Sequence, residues 1–223
     1  MKEDLSLQRW SGVDVDTNAI ESNMRHLVER CAPSSVWAVV KANGYGHGAI
    51  TVSRAAVAGG ASGLAVALVH EAVELRHAGI ESRILVLSDQ PHEQYETLLD
   101  ANAELMVYRS ESIDALGAVA QQRGVIARVH LKVDTGMRRV GAEPSSAEAL
   151  IARIQQHPNL QLVGVATHFA TADIPGHPGI AQQSDEFASV ASLVEPDIEI
   201  HMANSAAALS VPDSRHTYVR AGI

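Results

Sequence analysis

The sequence has a single cysteine, Cys31, and it lacks any long apolar run. One cysteine excludes an internal disulfide framework and is compatible with a reducing compartment. Nowhere does the chain reach the roughly 18 consecutive apolar residues that a membrane helix requires. Residues 1–9 carry charges of both signs in place of the apolar core of a secretory signal. These absences predict a soluble, cytoplasmic protein with no membrane partner.

Basic residues are also few. The chain has 17 lysines and arginines against 26 aspartates and glutamates, which gives a formal charge of −9. A surface that follows nucleic-acid phosphates needs an excess of positive charge, so we expect no nucleic-acid partner. No Gly-x-Gly-x-x-Gly follows an early strand, no Gly-x-Ser-x-Gly elbow occurs, and no pair of metal-ligating residues has a convincing zinc spacing. We therefore expect no metal.

What the sequence does contain is a regular alternation of short apolar runs and segments of helical periodicity. The runs are bounded by glycine, proline or polar residues and predict eight strands. These strands are expected at 36–40, 63–67, 83–88, 103–108, 125–133, 160–169, 197–202 and 217–221. Alternating strands and helices form parallel sheets, and a count of eight favours a closed (β/α)8 barrel of the TIM type over an open sheet.

The chain ends directly after the eighth predicted strand. A complete barrel normally has about 250 residues, and here no helix follows to cover the last strand. We therefore expect residues 1–223 to form one barrel domain that is truncated just after strand eight. An unusual natural boundary is the alternative.

Ionisable and polar residues stand at the carboxyl ends of the predicted strands, where the reactive groups of such a barrel collect. Lys41 ends the first strand and opens a glycine-rich turn. A lysine held there loses hydration and can act as a nucleophilic amine, although a lysine that simply reaches solvent is the plainer explanation. Strands five to eight contribute further polar groups, namely Lys132, His168, Asn204, Ser205 and Arg220. Their convergence on one rim predicts an enzyme.

Two positions leave alternatives open. Arg128, His130 and Lys132 share one face of strand five, and this polar face should point into the barrel. A buried lysine must find an anion or lose its charge, and a structural ion pair with Asp134 or Glu143 is the simpler possibility. The segments 204–205 and 222–223 lie where such barrels bind phosphate, although plain capping by Asn204 would look the same.

At five places the sequence resembles the alanine racemases, fold-type III enzymes that use pyridoxal 5′-phosphate (PLP). The segment 38–48, AVVKANGYGHG, is similar to the signature around their cofactor lysine. Similarity continues through 130–141, 167–173, 201–207 and 219–223, in the family's order. On these blocks the chain is identified as the N-terminal barrel domain of a member of this family.

The resemblance implies that the protein converts L-alanine to D-alanine for the cell wall. Lys41 would form the internal aldimine with PLP and serve as one of two acid–base groups. Arg139 would contact the phenolic oxygen of the cofactor and the carboxylate of the amino-acid substrate, and a carbamylated Lys132 would fix Arg139. The phosphate would be held by Tyr45, Asn204, Ser205, Gly222 and Ile223.

The remaining two matches concern the cofactor ring. His168 would lie against it, and Arg220 would hydrogen-bond its pyridine nitrogen. Because arginine is effectively always protonated, it does not readily give this nitrogen a proton. The resulting weak electron sink favours racemisation over transamination.

The chain departs from the family in its second half. Alanine racemases carry a C-terminal β domain, which supplies a second base, a tyrosine, to the partner's site in a homodimer. None of the four tyrosines here, Tyr45, Tyr95, Tyr108 and Tyr218, matches that context. The alternatives are a racemase of another small amino acid such as serine, or a barrel that binds PLP without racemising.

Overall fold

Eight strands lie side by side in the computed structural model, which describes residues 12–222. They are β1 (Ser35–Val39), β2 (Gly63–Val66), β3 (Arg83–Val86), β4 (Glu104–Val107), β5 (Ala127–Lys132), β6 (Leu160–Ala166), β7 (Glu199–His201) and β8 (Tyr218–Gly222). Parallel pairing joins them in the order β7-β6-β5-β4-β3-β2-β1-β8. Between β7 and β8 the backbone N–H groups of Thr217 and Arg220 donate to the carbonyl oxygens of Ile200 and Ala203, at 3.0 Å each. The predicted (β/α)8 barrel is confirmed.

Helices connect the strands on the outside of the barrel. They are α1 (Thr17–Cys31), α2 (Lys41–Tyr45), α3 (Ala49–Ala58), α4 (Val69–His77), α5 (Tyr95–Asp100), α6 (Ser110–Arg123), α7 (Ala147–Gln156), α8 (Pro178–Ala191) and α9 (Ser205–Ser210). Single 3-10 turns precede α5 and α7 and follow α9. Among the helices of residues 12–222, none combines the length and apolarity needed to cross a bilayer.

Each strand divides its side chains between the helix layer and the barrel interior, as the period of two requires. On β1, Val36 and Ala38 belong to the large core under the helices, whereas Trp37 packs inside the barrel and Val39 lines its open end. Lys41 follows in the same inward register. Apolar packing inside the barrel is provided by Trp37, Leu85, Met106, Ala166 and Tyr218.

The amino-terminal end of the barrel is polar and charged. The guanidinium of Arg83 binds the carboxylates of Glu104 and Glu199 at 2.6–2.9 Å and stacks over the ring of Trp37 at 4.8 Å. Arg128 approaches Glu104 at 3.4 Å. Glu104 is fully buried, and it remains compatible with the interior because cations and hydrogen bonds surround it.

The predicted inward face of β5 is confirmed. His130 is fully buried, and Lys132 is only 5% exposed. A Cβ atom on Gly164 of the neighbouring β6 would lie 2.1 Å from Nδ1 of His130. Glycine at this position is therefore what allows the imidazole to occupy the barrel interior.

Candidate active site

A cavity of about 570 Å³ opens at the carboxyl ends of the strands, within the size range of small-molecule sites. It brings together nine of the ten residues that the resemblance singled out. They are Lys41, Tyr45, Lys132, Arg139, His168, Asn204, Ser205, Arg220 and Gly222. The tenth, Ile223, lies outside the described residues. The wall also contains apolar side chains, among them Val39, Leu87 and Met106.

Lys41 is presented by an unusual turn. The residues that follow it, from Ala42 to Tyr45, all have left-handed backbone angles, with φ between 53° and 59°. For residues other than glycine this conformation costs about 1–2 kcal/mol each. Gly44 adopts this conformation without steric cost, whereas Ala42, Asn43 and Tyr45 adopt it although they carry side chains.

Neighbouring groups hold this turn in place. The carboxylate of Glu71, on α4, accepts hydrogen bonds from the backbone N–H groups of Ala42 at 2.5 Å, Ala67 at 2.7 Å and Leu68 at 2.9 Å. The side-chain oxygen of Asn43 accepts from the N–H of Ala49 at 2.9 Å. The bond from Ala42 to Glu71 ties the left-handed turn to α4, and the bond from Ala49 to Asn43 ties it to α3. These bonds offset the conformational cost of the turn.

Hydroxyl and backbone N–H groups gather at one side of the cavity. The N–H of Gly222 donates to Oγ of Ser205 at 2.8 Å, and a Cβ atom on Gly222 would lie 3.0 Å from the hydroxyl of Tyr45. The side-chain oxygen of Asn204 accepts from the N–H of Ala207 at 3.0 Å, so Asn204 caps α9. The side-chain oxygen of Asn204 therefore has the helix-capping role that the sequence left open.

Four basic side chains lie near His168 in the cavity wall. Burial, and next the charges of Arg220, Lys132, Arg139 and Lys41, together lower the pKa of His168 to about 3. His168 is therefore neutral at physiological pH. Such a concentration of positive charge around a neutral ring favours an anionic ligand.

Lys132 is buried, and its charge has no ion-pair partner among residues 12–222. Burial, and next the charge of Arg220, lower its pKa to about 7. Within residues 12–222 it forms no ion pair with Asp134 or Glu143, the simpler partners considered above. The amine is therefore partly neutral at pH 7.

The carboxylate of Asp134 instead organises the loop that carries Arg139. It accepts hydrogen bonds from the backbone N–H groups of Gly136, Arg138 and Arg139 at 2.9–3.1 Å. Burial raises the pKa of Asp134, but these bonds outweigh it and keep the pKa below its ordinary value. The backbone of Arg139 is thus held in place, and its exposed side chain lines the cavity.

Arg220 is buried inside the barrel wall. Its guanidinium donates to Nδ1 of His201 at 2.6 Å, to the carbonyl oxygen of Thr167 at 2.8 Å, and to Nδ1 of His168 and the carbonyl oxygen of Met202 at 3.3 Å. Burial lowers its pKa to about 10, so it stays protonated at neutral pH. Its bonds fix one orientation of the guanidinium at the cavity wall.

Two carboxylates that support this site, Glu71 and Glu104, were not predicted from the sequence. A glutamate inside the apolar run 103–108 was a signal for a buried partner. In the segment LVHE at 68–71, Glu71 stands at the third helical position, a pattern that marks the start of a helix. His201, in the segment 201–207, is fully buried, and both of its ring nitrogens have hydrogen-bond partners.

The chain is similar to one family of known proteins over most of its length. Residues 15–223 match the family model described as "Alanine racemase, N-terminal domain". An alanine racemase of Thermobifida fusca is 41% identical over 94% of this chain, which covers 58% of that protein. The chain thus spans less than two thirds of the length of its curated relatives.

Solved structures give the same result. The alanine racemase of Streptomyces coelicolor A3(2) superposes with a TM-score of 0.89 at 36% identity, covering 93% of this chain and 57% of that one. A histidine racemase of Leuconostoc mesenteroides has a TM-score of 0.86 at 29% identity, covering 93% and 56%. By the extent of these matches, the chain belongs to the family of alanine racemase N-terminal domains.

Proposed function

We propose that the protein racemises alanine with the help of PLP, and that residues 1–223 supply its barrel domain. The observation that carries this proposal is the convergence of the turn that bears Lys41, three further basic side chains and two hydroxyl groups on one cavity. The family depends on PLP. Because the chain spans only part of its relatives, the activity, the substrate and the partner subunit all belong to the proposal.

The residues of the cavity fit PLP. Lys41 offers an amine to the aldehyde, and Tyr45, Ser205 and the backbone of Gly222 offer donors to the phosphate. The space beside Gly222 is one that a Cβ would fill, since that atom would lie 3.0 Å from the hydroxyl of Tyr45. Ile223, outside the described residues, is assigned to the phosphate site by its match to the family alone. Arg220 would face the pyridine nitrogen, and His168 would lie against the ring.

PLP, when bound, withdraws electrons from the bond between the α-carbon and its hydrogen. The chain's own residues then decide the outcome. Arg220 stays protonated and donates hydrogen bonds without giving up its proton, so electron withdrawal remains weak and a return of the proton to the α-carbon is favoured over transamination. Arg139 binds the carboxylate of the substrate. Lys41 removes or returns the proton on one face, a contribution of roughly 10²–10⁴-fold.

Racemisation needs a second acid–base group on the opposite face. We assign it to a tyrosine of a C-terminal β domain, which reaches the site from the partner of a homodimer. In the described part of the chain, Tyr95 and Tyr218 are buried in the protein core and are unavailable for proton transfer in the cavity. Tyr45 lines the cavity and is assigned to the phosphate.

Lys132 is proposed to carry a carbamate. Its neutral amine attacks the carbon of CO2, a new N–C bond forms, and one proton leaves to water. The lowered pKa of about 7 supplies neutral amine at physiological pH. The resulting anion lies among Arg139 and Arg220 and removes the uncompensated buried charge. A carbamate signal in 13C NMR with labelled bicarbonate should vanish in Lys132→Met.

The test is racemisation of L-alanine by the full-length protein, followed by chiral chromatography. Lys41→Ala should abolish it, and Lys2→Arg is the matched control that should leave it unchanged. Inactivity of the wild type with PLP bound would instead support a barrel that only binds the cofactor.

A second candidate substrate class is favoured by the likeness to a histidine racemase. Assays with L-alanine, L-serine and L-histidine distinguish the possibilities. Faster turnover of either other amino acid would overturn the assignment of alanine and keep that of a racemase.

A further inference from the structure

We propose that Glu104 is a positioning residue for Arg220, acting through a one-directional hydrogen-bond chain that descends the barrel interior from Arg220 through His201 and His130. This inference rests on the proposed function in one respect, namely that Arg220 faces the bound cofactor.

Three contacts form the chain. The guanidinium NH1 of Arg220 lies 2.6 Å from Nδ1 of His201, Nε2 of His201 lies 3.1 Å from Nδ1 of His130, and Nε2 of His130 lies 2.8 Å from a carboxylate oxygen of Glu104. The two histidines and Glu104 are fully buried, and Arg220 is 5% exposed. Water therefore has little access to any link.

The chemistry of arginine sets the direction of all three bonds. A guanidinium only donates, so Nδ1 of His201 must be an unprotonated acceptor. The proton of His201 is then on Nε2 and is donated to His130, whose Nδ1 must also be unprotonated. His130 consequently carries its proton on Nε2 and donates it to Glu104. The burial that lowers the pKa of His201 agrees with an unprotonated Nδ1 on that ring.

The rings have no freedom to leave this arrangement. His201 stacks on Tyr218 with ring centroids 4.3 Å apart. Close approach of β6 confines His130, since a Cβ on Gly164 would lie 2.1 Å from its Nδ1. A flipped ring would break one link and leave a buried donor or acceptor without a partner, which would lower the population of that state about five- to 150-fold.

Glu104 is held as an anion at the end of the chain. Arg83 binds both of its oxygens at 2.7 Å and 2.9 Å. Burial raises the pKa of Glu104, but the hydrogen bonds from His130 and Arg83 outweigh it and lower the pKa to about 2. The partners of Arg220 within residues 12–222 are imidazoles and carbonyl oxygens. Glu104 thus supplies the negative end that polarises the two rings toward the guanidinium.

Glu104, His130 and Glu199 also lie close enough to suggest a metal site. The guanidinium of Arg83 already bridges the two carboxylates at 2.6–2.9 Å. A cation therefore occupies the charge position that a metal would take, and the cluster is an ion-pair network.

Glu199 provides a matched control. It binds the same Arg83 as Glu104, but it is not a hydrogen-bond partner of either histidine in the described part of the chain. Glu104→Gln keeps the shape of the side chain and removes its charge. Its amide group can also donate to His130, which would reverse the proton positions along the chain and set two donors face to face at Arg220.

The experiment uses the full-length protein and titrates PLP into wild type, Glu104→Gln and Glu199→Gln. We expect Glu104→Gln to weaken PLP binding about tenfold and to shift the absorption band of the bound cofactor, a loss of about 1.4 kcal/mol. Glu199→Gln should stay within about twofold of wild type because its ion pair is partly exposed. Equal effects of the two variants, or none, would overturn the proposal.

Neutron diffraction from crystals of the full-length wild type gives a second readout that depends neither on activity nor on the folding of a variant. Deuterons should lie on Nε2 and be absent from Nδ1 in both His130 and His201. A deuteron on either Nδ1 would contradict the chain. Absence of PLP binding by the wild type would count against the proposed function, and the neutron result would still decide the hydrogen-bond direction.

Discussion

Removal of the Lys132 amine should change how the stability of the barrel depends on pH. Burial, with the nearby charge of Arg220, lowers the pKa of Lys132 from 10.5 to about 7. Between these values the unfolded chain binds more protons than the native protein, so the free energy of unfolding rises with pH. The cost of burying Lys132 is about 4 kcal/mol at pH 7 and about 2 kcal/mol at pH 9.

Urea unfolding of the PLP-free protein in bicarbonate-free buffer measures this difference, with tryptophan fluorescence as the signal. Lys132→Met keeps an unbranched side chain, one heavy atom shorter, and removes its charge. Relative to this variant, the wild type should gain about 2 kcal/mol between pH 7 and pH 9. Other titrating groups cancel in the comparison. Parallel pH profiles for the two proteins would refute the assignment of an uncompensated buried amine.

Three further changes test how the site is supported. Gly164→Ala should lower the free energy of unfolding by about 3 kcal/mol or more, because the new Cβ meets His130; Gly12→Ala, where an added Cβ meets nothing within 4 Å, is the control in the same urea titration. Glu71→Gln should cost about 1–3 kcal/mol and weaken PLP binding, since an amide cannot accept all three N–H bonds; unchanged unfolding and affinity would contradict this. Asp134→Ala should raise the KM for alanine about tenfold with a smaller effect on PLP affinity, as expected for the loop of Arg139; steady-state kinetics of the full-length enzyme separate the two.

Sequence periodicity was sufficient for the architecture because each strand obeys a simple alternation. The polar face of β5 predicted which of the side chains of that strand enter the barrel. That alternation also predicted that Lys132 would be buried, and it left open what compensates its charge. The structure answers the question by placing Asp134 in bonds to its own loop.

Local propensity could not predict the turn after Lys41. Alanine rarely adopts left-handed angles. Ala42 does so here with its N–H bonded to the carboxylate of Glu71, which lies on a different helix. The hydrogen-bond chain from Glu104 to Arg220 could not be predicted from local sequence either. Its members lie on four strands, and their heights along the barrel axis depend on strand stagger, which a single sequence pattern does not specify.

We propose that Lys41 is the residue that binds PLP covalently. This sequence has only three lysines, Lys2, Lys41 and Lys132, so borohydride reduction of the PLP-loaded protein followed by peptide mass spectrometry gives a clear answer. We predict that the reduced cofactor is attached to Lys41 and that Lys41→Arg, which keeps the charge, loses it. Attachment to Lys132 or Lys2 in the wild type, or retention of the label in Lys41→Arg, would contradict the account.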